Sequence, residues 1–186
     1  MRNARARRLG LALLAGICSS LVAAPGASAQ GPEFVTLGQG SFPSLNSTWQ
    51  ALAVREPPRT IFFDLYDDEG SLYYTYAPQF DQPPPKRLVT AISYRPFGLP
   101  TVATFVGGVA GTRVKTVKII FDGAPMQKLR TVKAPPEWGF PVRYFGTGAN
   151  VAESSANTAQ VAKTIKALDG RGRLLSKLTN VLTNPV

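Results

Sequence analysis

The residues of this 186-residue chain best placed to do chemistry are its cations. Arg113, Lys115, Lys118, Lys128, Arg130 and Lys133 fall in one stretch; Lys163, Lys166, Arg171, Arg173 and Lys177 crowd a second. On a β-strand, residues two apart share a face. Arg113 with Lys115, and Lys128 with Arg130, are therefore candidates for a basic stripe that binds anions. The same residues would also suit a solvated outer face, or edge lysines that block sheet-to-sheet aggregation.

Carboxylates offer two further kinds of chemistry. Asp67, Asp68 and Glu69, with Asp64 close by, supply the clustered oxygens that a hard cation such as calcium prefers, although their spacing follows no calcium-loop template. A solvated hairpin turn needs the same residues. Asp64, Asp67, Asp81, Asp122, Glu137 and Asp169 are the candidates for a carboxylate pair acting on a glycosidic bond, where the separation in space decides the stereochemistry. Most of them stand in turn-like positions. Tyr73, Tyr74, Tyr76, Phe80, Trp49 and Trp138 raise a sugar-stacking option, against which stands the usual place of aromatic stripes in a core. Basic and aromatic residues lie mostly in separate segments, so a nucleic-acid interface is not expected.

Absences narrow the field. The chain has no histidine, hence no Ser-His-Asp triad and no imidazole ligand. Its only cysteine, Cys18, lies in the N-terminal leader, which leaves no thiol nucleophile, thiolate zinc site or disulfide downstream. No glycine-rich phosphate loop and no Ser-x-x-Lys motif is present. No catalytic residue, cofactor or metal is expected.

Residues 1–29 read as an export signal. Arg2, Arg5, Arg7 and Arg8 form a positive start, residues 9–24 a short apolar run, and Ala27-Ser28-Ala29 a small-x-small cleavage site. The apolar run is too short and interrupted for a membrane span. Ile17 before Cys18 disfavours a lipoprotein signal, and Gly10 after Arg7-Arg8 disfavours a twin-arginine one. The expectation is Sec-type secretion with cleavage after Ala29, a mature start at Gln30 and no transmembrane segment. The four leader arginines account for four of the ten excess positive charges, so the mature chain carries +6. That charge favours anionic surroundings without choosing among them.

Short extended segments must position these groups. Sixteen prolines and seventeen glycines suit many brief strands between turns. Residues 114–121 alternate as a strand closing on Asp122-Gly123, with 127–132 as its hairpin mate. Residues 60–66 and 71–76 read as a second hairpin across the acidic turn. Further strands are expected at 88–94, 101–106 and 140–145, the last at a sheet edge because of Pro141. Residues 47–54 suit a strand or a short helical piece. Gly107-Gly108 and Gly111 read as breaks, and residues 146–158 as a surface loop. Residues 160–168 and 173–175 read as a strand, a turn and a short strand. The domain boundaries follow: an extended leader over 30–46 with at most a short strand at 34–37, a β-sandwich over 47–176, and a tail over 177–186.

Residues 114–123, 140–145 and the run Ile165-Lys166-Ala167-Leu168-Asp169-Gly170-Arg171-Gly172-Arg173-Leu174 together resemble a pattern in uncharacterised secreted actinobacterial-type proteins. The resemblance covers about the last 75 residues. It implies an antiparallel immunoglobulin-like β-sandwich, all-β in class, and an exterior location; it implies no activity and carries over no functional residue. The combined expectation is a secreted, non-catalytic binding or structural module whose partners are anionic cell-wall polymers or glycans. The alternative is a carboxylate-type glycan-active enzyme.

Overall fold

The computed structural model describes residues 32–83, 88–94, 103–121, 123–151, 162–179 and 181. The export signal, Asp122, Pro96, Pro100 and most of the triproline connector lie outside the described residues. Over the described residues the chain is all-β, with three four-stranded antiparallel sheets. The first sheet is a meander of β1 (Phe34–Phe42), β2 (Ser47–Val54), β3 (Thr60–Tyr66) and β4 (Leu72–Tyr76). The central sheet orders β5 (Val89–Tyr94), β6 (Ala103–Gly111), β10 (Val142–Asn150) and β9 (Val132–Lys133). The third sheet orders β12 (Leu174–Thr179), β11 (Ala162–Leu168), β7 (Thr116–Phe121) and β8 (Gln127–Arg130).

Two cores hold these sheets face to face. Trp49, Ala51, Ile61, Phe63 and Leu65 of the first sheet pack with Phe105, Val109 and Tyr144 of the central one. Val106, Ala110 and Phe145, on the opposite face of that central sheet, pack with Val117, Ile119 and Ile165 of the third. Strands covered on one side alternate, as in β2 and β7. β6 is covered on both sides and is buried from Ala103 to Ala110, which is why its sequence is a continuous apolar and small run rather than an alternating one.

Small residues in β6 and β10 let the layers meet. Phe42, Trp49 and Phe63 gather around Phe105, with ring centroids 5.6, 6.1 and 5.2 Å away. A Cβ on Gly148 would stand 2.7 Å from both the Phe42 and Trp49 rings. A Cβ on Gly108 would overlap the Thr90 carbonyl of β5, a backbone atom with nowhere to go.

Five expectations are corrected by this packing. The stretch expected as an extended leader with at most a short strand at 34–37 instead carries β1, nine residues long, which pairs with β2 along nearly its whole length. Gly107 and Gly108 do not break a strand; they sit inside β6 opposite Gly146 and Phe145. Residues 146–150 are not a loop but the buried half of β10, and β10 is flanked by β6 and β9, so Pro141 lies just outside a central strand rather than at an edge. Of the tail expected over 177–186, residues 177–179 form the second half of β12, and all the rest but Val181 lies outside the described residues. In β1, β6 and β10 the glycines look like punctuation in the sequence, and close approach of neighbouring strands and rings is what selects them.

Candidate anion-binding face

The third sheet turns Val117, Ile119 and Phe121 of β7 and Ile165 and Ala167 of β11 inward, where all are buried. The intervening residues face away from the molecule. Register then decides which outward residues meet. Lys118 stands opposite Lys128 on one side and Lys166 on the other, and Lys166 stands opposite Lys177. A single row, Lys128–Lys118–Lys166–Lys177, crosses all four strands. Directly opposed residues share a face, and neighbouring strands lie about 4.8 Å apart, so the row spans roughly 14 Å. Lys128 and Lys177 are exposed, and Lys118 and Lys166 are half-buried between them. Arg130, two residues on from Lys128 and opposite Thr116, extends the same face.

Like charges directly opposed across strands destabilise a sheet, and here three such contacts follow in succession. No strand of this sheet contains an aspartate or glutamate. Among the described residues the ion pair is Arg173 with Asp169, 2.8 Å apart in the β11–β12 turn and off the lysine row. The face is therefore a concentrated positive field without internal compensation.

The sequence-derived stripe is partly rearranged. Lys128 and Arg130 do share the outward face. Lys115 precedes β7 in phase with the buried Val117, its backbone bonded to Leu168 and Thr131, and Arg113 lies exposed in the turn before it. The residues that sequence reasoning left out of the stripe are Lys118, Lys166 and Lys177. Both basic clusters were visible, but β11 pairing on β7 was the missing link between them.

The carboxylates occupy other roles. Asp67 Oδ1 accepts the backbone N–H of Glu69 and of Ser71, at 3.0 and 2.7 Å. Asp169 Oδ1 does the same for Arg171 and Arg173, at 2.8 and 2.9 Å. The two loops are one turn built twice, each closed by a glycine at positive φ, Gly70 and Gly172. The N–H and guanidinium of Arg173 hold Asp169 below the usual carboxylate range. Asp68 accepts a hydrogen bond from Asn46 Nδ2 at 2.9 Å. Asp64 is buried and accepts Thr75 Oγ1 and, at 3.4 Å, Gln50 Nε2; burial, together with the Asp64 charge, raises the neighbouring Tyr66 phenol. Among the described residues no group of three or more acidic, histidine or cysteine side chains could hold a metal ion. Asp81 and Glu137 are exposed on separate segments, and Asp122 lies outside the described residues.

Five of the six aromatic candidates turn inward, and the side chain of Tyr73 lies outside the described ones. Trp49, Phe80 and Trp138 are buried, and Tyr74 and Tyr76 pack against the first core. A groove at the end of the first sheet does hold two carboxylates, Glu33 and Glu56, beside Arg55, Phe34 and Phe62. Neither glutamate was among the sequence candidates, because they come together only where β1 and β2 end side by side.

No described helix is long and apolar enough to cross a membrane. Comparison with family models, curated proteins and solved structures finds no match.

Proposed function

We propose that this chain is an exported, non-catalytic β module that holds a linear polyanion, such as an anionic cell-wall polymer, across the outer face of its third sheet. The observation that carries the reading is the row Lys128–Lys118–Lys166–Lys177, four ammonium groups in direct register with no carboxylate on the same strands. A polymer with regularly spaced negative charges would relieve the repulsion along that row, whereas a single small anion would meet two lysines at most. Release of the polymer's counterions would add to affinity and make it steeply salt-dependent. The finer description of the fold as immunoglobulin-like rests on the resemblance over the C-terminal part and on antiparallel sheets packed face to face. Export rests on the leader sequence, with the mature chain starting at Gln30.

The rival reading, a carboxylate-type glycan-active enzyme, draws on Glu33 and Glu56 lining one groove. Both side chains are exposed, and among the described residues neither has a hydrogen-bonding partner that would fix it in place; preorganisation of that kind is what catalytic carboxylates depend on. Pull-down on purified cell wall tests the binding reading. Retention that falls steadily with added salt supports it, and retention indifferent to salt contradicts it. Release of reducing sugar from the same wall preparation, lost in Glu33→Gln or Glu56→Gln, would establish the enzyme instead.

A further inference from the structure

We propose that the groove at the end of the first sheet is a second binding site, taking a neutral sugar unit of a glycan. The groove has a volume of about 520 Å³. A second hollow of about 420 Å³ shares Arg55 and Glu56 with it and is lined further by Trp138 and Phe140. Both volumes fall in the range of small-molecule sites, about 300–1,000 Å³.

The backbone holds this place firmly. Phe34, the first residue of β1, pairs with Val54, the last of β2. One residue further, Arg55 N–H donates to the Glu33 carbonyl at 2.8 Å. Trp138 Nε1 donates to the Pro32 carbonyl at 2.7 Å, which fastens the far hollow to the same chain end.

The side chains are left available. Phe34 is 56 % exposed, unusual for a phenylalanine beside a formed core. Glu33 and Glu56 are exposed and Arg55 is half-buried. Among the described residues none of these three side chains has an ion-pair or hydrogen-bond partner, although opposite charges line one groove.

That combination selects a class of ligand. The C–H face of a pyranose can lie on an aromatic ring, and its in-plane hydroxyls can donate to carboxylates and accept from a guanidinium. An anionic ligand would face Glu33 and Glu56, and a cationic one would face Arg55, so a neutral polyol fits the mixed lining best. The site is independent of the lysine row, which lies on the third sheet and carries only positive charge.

Trp138 lines the adjoining hollow beside Arg55 and Glu56, whereas Trp49 lines neither, so tryptophan fluorescence of Trp49→Phe reports on this end of the first sheet alone. Calorimetry on the wild-type mature protein repeats the measurement in case that variant folds poorly. The probes are maltotetraose, cellotetraose and chitotetraose. The expected result is saturable binding of at least one, unaffected by added salt and by Lys118→Glu, and weakened about tenfold or more by Phe34→Ala and by Arg55→Ala. No response to any of the three at about 10 mM, or binding that survives both substitutions, overturns the proposal.

Discussion

Arg143 donates from Nε to the Thr131 hydroxyl and from Nη2 to the Thr131 carbonyl, both at 2.6 Å. Thr131 is the residue at which the chain passes from β8 in the third sheet to β9 in the central one. Its hydroxyl donates in turn to the Val114 carbonyl at 2.8 Å, and its N–H to Lys115 at 3.1 Å. Arg143 on β10 thus holds the corner that fixes one sheet against the other and keeps β8 beside β7. Burial lowers the affinity of its guanidinium for the proton, though arginine remains charged. Arg143→Ala is expected to cost about 2 kcal/mol, since hydrogen bonds from a charged group in a part-buried site are the stronger kind. Arg143→Lys should recover only part, because an ammonium cannot reproduce the planar two-donor grip. Urea unfolding of the three proteins gives the comparison, and an unchanged midpoint for Arg143→Ala contradicts the role.

The glycines of β6 and β10 should be intolerant of even one methyl group. Gly148→Ala drives a Cβ into the Phe42 and Trp49 rings, and Gly108→Ala drives one into the Thr90 carbonyl. Overpacking of this kind costs about 1–3 kcal/mol. Gly108→Ala should be the worse of the two, because a ring can tilt and a strand backbone cannot. Thermal unfolding would show the order; wild-type melting of Gly148→Ala would argue against close contact between the sheets, and of Gly108→Ala against close approach of β5 to β6.

Tyr144 supplies a pH test. It is fully buried, and its hydroxyl has no hydrogen-bond partner. Burial pushes the phenol up to about 12, with Arg59, close by but not in hydrogen-bonding geometry, pulling slightly the other way. In the unfolded chain a tyrosine ionises near pH 10, so the unfolded state binds fewer protons than the folded one above that point. Stability is therefore complete below about pH 10 and falls as pH rises towards 12, by about 2 kcal/mol from this group. Tyr144→Phe should be neutral or slightly stabilising at pH 7, because it removes an unsatisfied hydroxyl, and should lose less stability than wild type between pH 10 and 12. Equal alkaline losses in the two proteins would show that Tyr144 is not the group responsible.

Much of this fold could be read from the chain, and the failures share one cause. The hairpin over 60–76 and the Asp169–Gly172 turn follow from local chemistry, with alternating apolar residues and a turn aspartate followed by glycine. β6 and β10 defeat the local reading where Gly107, Gly146 and Gly148 replace side chains with close contact to the first sheet and Gly108 with close contact to β5, a property of the neighbouring strands rather than of the segment itself. The candidate face failed for the same kind of reason. Lys128 and Arg130 are two apart in sequence and were found, but Lys118, Lys166 and Lys177 join them only through the pairing of β8, β7, β11 and β12.

The lysine row should trade stability for binding. Lys118→Glu turns two like-charge contacts, with Lys128 and Lys166, into two opposite-charge ones. Each cross-strand contact is worth about 0.2–1 kcal/mol, so the variant should gain about 1 kcal/mol at low salt, with the gain fading as salt screens it. Chemical unfolding at low and high salt reads both effects. A Lys118→Glu protein less stable than wild type at low salt would mean that the row is already compensated.

The most direct measurement is the affinity of the mature protein for a glycerol-phosphate polymer as a function of salt, beside the same titration for Lys118→Glu/Lys166→Glu. Four or five contacts at about 0.7 per contact predict a log–log slope near −3 for wild type, and loss of most of the affinity and of the slope in the double variant. Affinity that is insensitive to salt, or equal in the two proteins, would contradict a polyanion lying across these four strands.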